Sequence, residues 1–379
     1  MIGFWIIIGS MLAANVGWWV WARRRLRQRR GLRIAVGVFL AVPVLFLVGM
    51  MLVPDFARRM HQFVPMPVVA LAYLWNLLIL PLALIFIGAA AALRLLPCRS
   101  RETSPDRTSR RLFLGSVAAV APPLLASGGV AFGLQRINDF RLRRFEIKVP
   151  SLPAALDGLT IAHVSDLHTG KFTTPESVER IVDEVNGLRA DLVLFTGDLI
   201  DLSMADLPLA LEILGRLEPQ SRLFLCEGNH DLIDDGRAFR RGVREAGFRL
   251  LLNEGAVVEV RGERVQVLGV KWARGEERRS REMGKVRALV QPDCFPILLA
   301  HHPHCFDDAG EIPLTLAGHT HGGLLMINDQ VGPGPLLYKY WSGLYEQGGR
   351  SIVVSNGVGN WFPLRTSAPA EIGLLTLRV

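Results

Sequence analysis

The chain has 379 residues, half of them hydrophobic, and a formal net charge of +8. The charge is uneven: residues 1–113 hold 15 Arg, no Lys and 3 acids, while the remainder holds 28 basic and 32 acidic residues. A basic excess confined to an apolar third excludes a nucleic-acid-binding domain, which would carry its basic face on folded structure.

Uncharged apolar runs cover 2–21, 34–53, 68–93 and 112–134. A bilayer-spanning helix needs roughly 20 such residues. The first three runs are therefore predicted to be transmembrane helices within a region 1–96. The fourth contains Pro122, Pro123, Gly128 and Gly129 and is expected to be a kinked span or signal anchor. The first run lacks a preceding positive segment, and its arginines follow it, unlike a cleaved signal peptide. Arg23, Arg24, Arg25, Arg27, Arg29, Arg30 and Arg33 lie between the first two runs, and Arg94, Arg99, Arg101, Arg107, Arg110 and Arg111 between the last two. The intervening loop has only Arg58 and Arg59 against Asp55. By the positive-inside rule both rich segments are cytoplasmic, and all that follows residue 134 is extracytoplasmic. Residues 97–111 read as a basic cytoplasmic linker. Within it begins "SRRLFLG", 109–115, which resembles the twin-arginine export signal of bacteria. Together with the apolar runs, that resemblance implies a multi-pass protein of the bacterial cytoplasmic membrane.

From Phe145 onward the texture changes to an α/β domain, expected over 145–379. The strand "LTIAHVS" precedes "TPESVERIVDEVNGL", which carries Val178, Ile181, Val182, Val185 and Leu188 at helical spacing. "ADLVLFTGD" and "RLFLCEGNHD" repeat the alternation, and the later part is richer in strands. The cysteines are Cys98, Cys226, Cys294 and Cys305, with no C-x-x-C pair. Cys226 reads as a buried thiol, and nothing requires a Cys294–Cys305 disulfide.

Five strand ends carry polar donors: Asp166 and His168; Asp198; Asn229, His230 and Asp231; His301 and His302; His319 and His321. Ligand sites of α/β sheets form beyond the carboxyl ends of strands, so these ends are expected to converge. Their N and O donors suit Mn, Fe or Zn, and they are too many for one tetrahedral ion and about enough for two. Gly197, Gly228 and Gly318 each precede a candidate ligand, where a close backbone approach is expected. Two adjacent ions would clamp a phosphate and ionise a shared water.

"DLH", "GD", "GNHD", "LLAHHP" and "GHTH" occur in the order seen in calcineurin-like metallophosphoesterases, and residues 155–379 resemble that family. The tail "SGLY…VVSNGVGNWFPLR…PAEIGLLTL" resembles its membrane-anchored bacterial branch, with Ala370 intervening in a Pro-Glu-Ile pattern. The resemblance implies a β-sandwich flanked by helices and two divalent metal ions. One ion would take Asp166, His168 and His321; the other Asn229, His301 and His319; Asp198 would bridge them. It also implies attack by a metal-bridging hydroxide, with His230 as general acid. Asp231 is expected to orient His230. Departures from the pattern are Leu324 and Leu325 after "GHTHGG", Lys271-Trp272 where an acid is common, and His302 where Asn is frequent. His302 is therefore expected to contact substrate or fill space, His163 to be a core histidine, and His304 and His61 to have no role.

Residues 271–287 hold seven basic and three acidic side chains, a solvated helix or a face toward anionic headgroups or phosphorylated substrate through Arg278 and Arg279. A tethered phosphoesterase works close to membrane lipids, so a phosphorylated lipid or cell-envelope intermediate is the expected substrate. Soluble nucleotides or cyclic nucleotides are the alternative. A membrane sensor or transporter with a structural metal domain would need intramembrane charges; the first, second and fourth runs hold none, and the third has only Arg94 at its edge.

Overall fold

The computed structural model describes residues 2–53, 55–56, 63–93, 105–219, 222–323, 326, 331–332, 334–365 and 368–379. The expected roles of His61, Cys98, Leu324, Leu325 and most of the linker 97–111 lie outside the described residues. Contacts divide the chain into one unit of residues 1–136 with 362–364 and another of 137–361 with 365–379.

The first unit is helical. Helices α1 (Ile2–Arg25) and α2 (Arg30–Leu52) form a hairpin. Helix α3 (Met66–Leu74) passes through a π-turn, Trp75–Ile79, into α4 (Leu80–Leu93), and α5 covers Pro105–Gln135. Among the described residues, Trp5–Arg25, Arg30–Leu52, Met66–Ala92 and Leu112–Gln135 are long and apolar enough to cross a membrane. Helix α5 is continuous through Pro122 and Pro123. One turn on, Ser127 Oγ donates to the Pro123 carbonyl at 3.0 Å.

Trp18, Ala22, Leu26, Val36, Leu40, Trp75 and Ala119 form the centre of this unit. A polar clamp joins α1 to the π-turn: Asn15 Nδ2 donates to Asn76 Oδ1 at 2.9 Å, and Trp75 Nε1 donates to Asn15 Oδ1 at 2.8 Å. In hydrocarbon such groups must find partners within the protein, so the clamp specifies how these helices meet.

The second unit is a two-sheet sandwich with helices outside. Its strands are β1 (Phe140–Lys148), β2 (Thr160–Val164), β3 (Leu192–Thr196), β4 (Leu223–Cys226), β5 (Arg249–Leu250), β6 (Glu254–Val260), β7 (Glu263–Gly269), β8 (Phe295–Leu299), β9 (Leu314–Ala317), β10 (Gly343–Gln347), β11 (Arg350–Val354) and β12 (Ala370–Arg378). One sheet runs β1-β12-β2-β3-β4-β5 and the other β10-β11-β9-β8-β7-β6. Strand β1 begins at Phe140 and pairs in parallel with β12 from Ala370, so the ordered sheet starts ahead of residue 145.

The period of two in each strand builds two apolar layers. Leu192 and Leu194 face the second sheet with Phe224, Val265, Val267, Ile297, Leu299 and Leu316. Val193 and Phe195 face the opposite way, onto Ile181, Val182 and Val185 of α6 (Pro175–Gly187), Ala210 and Ile213 of α7 (Leu207–Arg216), and Phe239 of α8 (Gly236–Glu245). Met283 and Val286 of α9 (Glu276–Arg287) cover Leu268 and Leu298 on the outer face of the second sheet. Thr174 caps α6 by accepting from Ser177 N–H, with Pro175 in the first turn. Asp235 caps α8 through Arg237 and Ala238 N–H. The thiols of Cys226, Cys294 and Cys305 are free.

The clamp in the helical unit is testable. Asn15→Leu removes both interhelical partners and strands the Trp75 indole N–H, and should lower resistance to SDS-induced unfolding of the full chain by about 1 kcal/mol. Unchanged or greater resistance would show that the clamp does not hold the helices.

Candidate metal centre

Strands β2, β3 and β4 are parallel within one sheet and β7, β8 and β9 within the other, so the carboxyl ends of each set lie together. Hydrogen bonding continues past the strand ends: Asp166 N–H donates to Gly197 O at 2.9 Å, and His168 N–H to Asp198 O at 3.0 Å. These loops are strained. Asp166, His168, Asp198, His319 and His321 have φ of 53°, 45°, 55°, 75° and 49°, the left-handed region that side chains avoid. Such strain persists where surrounding structure over-determines it, and it is concentrated here on the strand-end donors. Close approach also accounts for two of the glycines. A Cβ at Gly228 would stand 2.1 Å from Asp198 Oδ1, and one at Gly318 would stand 2.0 Å from Ser165 Oγ.

The donors converge. Asp166, His168 and His321 form one group, His168, Asp198 and His230 a second, and Asp198, His301 and His319 a third, with the donor atoms of each group within 4.8 Å of one another. His321 Nε2 lies 3.2 Å from Asp166 Oδ1 and 3.0 Å from His168 Nε2. Asp198 Oδ2 stands between the groups, 3.7 Å from His168 Nε2 and 3.1 Å from His301 Nε2. Asn229 Oδ1 reaches His301 Nε2 at 3.2 Å. His301 Nδ1 donates to the Thr196 carbonyl at 2.7 Å, which fixes the tautomer and leaves the Nε2 lone pair facing Asp198 and Asn229. Arg365 donates to His321 Nδ1 at 3.0 Å and to the Asn356 carbonyl at 2.7 Å, tying the C-terminal loop to the site.

Burial pushes the Asp166 and Asp198 carboxyls up, but the surrounding imidazoles outweigh it and hold both well below the usual carboxylate range. Buried, ionised carboxylates gathered among imidazole nitrogens are a donor set that fits divalent cations.

His230 sits beside this group, its ring 4.5 Å from that of His168. Its backbone N–H donates to Asp198 Oδ1 at 2.8 Å. Its Nδ1 donates to the Asp201 carbonyl at 2.9 Å and faces Asp201 Oδ1 at 3.1 Å. Burial lowers the His230 pKa, but the negative charges of Asp198 and Asp201 outweigh it and raise it to about 9. The expected partner of His230 was Asp231, and the structure corrects this. Asp231 accepts from the N–H groups of Asp198, Leu199, Ile200 and Gly228 at 2.8–3.1 Å and so organises the backbone under Asp198. Asp201 holds the ring instead. Its sequence signal was the second carboxylate of "GDLID", three residues after Asp198.

An aromatic wall flanks the His301–His319 side. The Trp272 ring lies 4.9 Å from His319, 5.4 Å from His301 and 5.7 Å from His302. Trp272 N–H donates to Oε1 of buried Glu227, whose carboxylate is also bound by Arg240 at 2.6 and 2.9 Å. Tyr338 Oη lies 3.3 Å from His319 Nε2. His302 Nδ1 accepts from His304 N–H, which leaves a neutral ring with Nε2–H as a donor. Burial, then the charge of His319, lowers the His302 pKa to about 2. His304, expected to be idle, accepts the Lys339 N–H at 3.1 Å and so supports the segment bearing Tyr338. Arg279 is half-buried and its field acts on His302 and His304, whereas Arg278 is exposed. His163 is buried with Nε2 2.9 Å from Thr196 Oγ1, a core histidine as expected.

Comparison with known proteins agrees with this geometry. A family model described as calcineurin-like phosphoesterase matches residues 159–361. The chain is 29% identical over 295 residues to the uncharacterized metallophosphoesterase YkuE of Bacillus subtilis, covering 72% of this chain and 98% of that protein. It is 31% identical over 248 residues to a transmembrane protein with metallophosphoesterase domain of Danio rerio, covering 62% of this chain and 56% of that one. It is 28% identical over 283 residues to the phosphodiesterase YaeI of Escherichia coli, covering 71% and 99% of the two chains.

Proposed function

The chain belongs to the calcineurin-like phosphoesterase family and is a metal-dependent phosphoester hydrolase; from that premise we propose how its residues divide the work. Asp166, His168 and His321 would hold one divalent ion and Asn229, His301 and His319 a second, with Asp198 within reach of both. The observation that carries this reading is the Asp198 carboxylate, whose Oδ2 lies 3.7 Å from the first group and 3.1 Å from the second. Two bound ions supply a nucleophilic water at neutral pH and neutralise the phosphate.

The protein's own share is positioning and proton transfer. His230, held through Nδ1 by Asp201, presents Nε2 to the leaving oxygen as general acid. The Asp201 carbonyl and carboxylate facing Nδ1 at 2.9 and 3.1 Å favour the protonated ring. Asp231 holds the backbone N–H groups around Asp198 and does not touch the reacting atoms. Trp272, His302 and Tyr338 border the His301–His319 side of the site.

The substrate is a phosphorylated lipid or cell-envelope intermediate, supported by four helices able to tether the enzyme to a bilayer. A second reading, a nucleotide or cyclic nucleotide, is favoured by the flat Trp272 ring beside His319. The arginine distribution and the twin-arginine-like segment support a bacterial enzyme with its catalytic unit on the extracytoplasmic side.

The metal-reconstituted full chain should be assayed against phospholipids, lipid-linked sugars, cyclic nucleotides and aryl phosphodiesters. His230→Ala should lower kcat by roughly 10²–10⁴ with little change in KM. Asp201→Asn should lower kcat less, with the metal content retained. Full activity of His230→Ala would remove it from the mechanism. A C-terminal reporter that matures only in the cytoplasm should stay dark on the full chain, and a bright one would reverse the orientation.

A further inference from the structure

The α1–α2 hairpin brings two helix ends together, and with them a run of arginines. Residues 1–53 contain no Asp or Glu, so this end of the hairpin has no acid of its own to balance the charge. The arginines are arranged around hollows. A cavity of about 620 Å³ is lined by Trp19, Arg23, Arg24, Arg27 and Arg33. A second, of about 410 Å³, is lined in part by Trp21, Arg24, Arg25, Arg27 and Leu112, so Arg24 and Arg27 face both. Among the described residues, Arg23, Arg24, Arg27 and Arg33 make no ion pair. Four guanidiniums around one hollow repel each other unless an anion enters it.

The apolar walls say what kind of anion. Trp19 is fixed against α2, where a Cβ on Gly37 would meet its ring at 3.2 Å. The Arg25 guanidinium lies over the Trp21 ring at 5.4 Å. Trp and Arg at the ends of spanning helices sit at the level of lipid headgroups, where the acyl chains begin. Guanidinium forks match phosphate oxygens. Sorting a loop to one side of a membrane needs only charge in that loop. Arg29 and Arg30 lie in the same turn and line neither hollow. Sorting alone therefore does not account for cations gathered around a cavity with an indole wall.

We propose that the cavity bounded by Trp19, Arg23, Arg24, Arg27 and Arg33 binds the phosphate of an anionic membrane lipid. The guanidiniums hold the phosphate, and Trp19 packs against the glycerol and the start of the acyl chains. The site is separate from the metal centre, and it rests on α1 and α2 spanning a bilayer, not on the phosphoesterase assignment.

Native mass spectrometry of the full chain in detergent tests this by titration with phosphatidylglycerol, phosphatidylcholine or inorganic phosphate. Wild-type protein should bind phosphatidylglycerol at least about tenfold more tightly than phosphatidylcholine, from headgroup charge alone. Arg24→Gln with Arg27→Gln should weaken phosphatidylglycerol binding by about tenfold or more. Arg29→Gln with Arg30→Gln removes the same charge outside the cavity and should change it less than about twofold. Arg24→Lys keeps the charge without the fork and should cost about threefold, a readout that survives if the double variant fails to fold. Equal losses in the two double variants, no preference over phosphatidylcholine, or no effect of Arg24→Lys would overturn the site. Inorganic phosphate binding as tightly as phosphatidylglycerol would overturn the lipid as its occupant.

Discussion

Asp198 is the residue on which the catalytic unit turns. Its carboxylate is almost fully buried and meets three partners: His168 and His301 through Oδ2 and the His230 backbone N–H through Oδ1. Its own N–H is held by Asp231 Oδ2 at 3.0 Å, and its φ of 55° is a conformation that a side chain adopts only when forced. A buried carboxylate in this position is costly unless compensated. Backbone donors and imidazoles compensate it in part, and the proposed ions would complete that compensation.

The distance between the two halves of the site is set by the sandwich. Asp166, His168, Asp198, Asn229 and His230 follow strands of one sheet; His301, His319 and His321 follow strands of the other. Leu192, Leu194, Ile297, Leu299 and Leu316 fill the space between the sheets. Interiors are close-packed and resist compression, so this apolar layer fixes how far His301 stands from Asp198. Core packing and metal geometry are in this sense one constraint. The His301 Nδ1 bond to the Thr196 carbonyl crosses the same boundary and joins the layer to the donors.

The strand-end donors were legible because a buried apolar run that breaks into Asp or His leaves few reasons for those residues other than a site. The glycines before them were legible for the same reason, and the contacts at Gly228 and Gly318 show the crowding they relieve. The partner of His230 was not legible. Asp231 is adjacent in sequence, but four backbone N–H groups claim it, and Asp201 reaches the ring only because the β3 loop folds back. Trp272 showed in the sequence only as a departure from a family pattern. Its place beside three histidines goes with its backbone N–H bond to Glu227, a contact across 45 residues that no local pattern encodes. Pro122 and Pro123 lie within a helix that continues through the fourth span.

On this reading Asp198 belongs to two ion sites at once. Elemental analysis of the full chain after reconstitution and desalting measures this directly. Wild-type protein should retain two divalent ions per chain, Asn229→Ala one, and Asp198→Asn fewer than one, because both sites lose the shared carboxylate. Retention of two ions by Asp198→Asn, or a single ion in the wild type, would contradict the account.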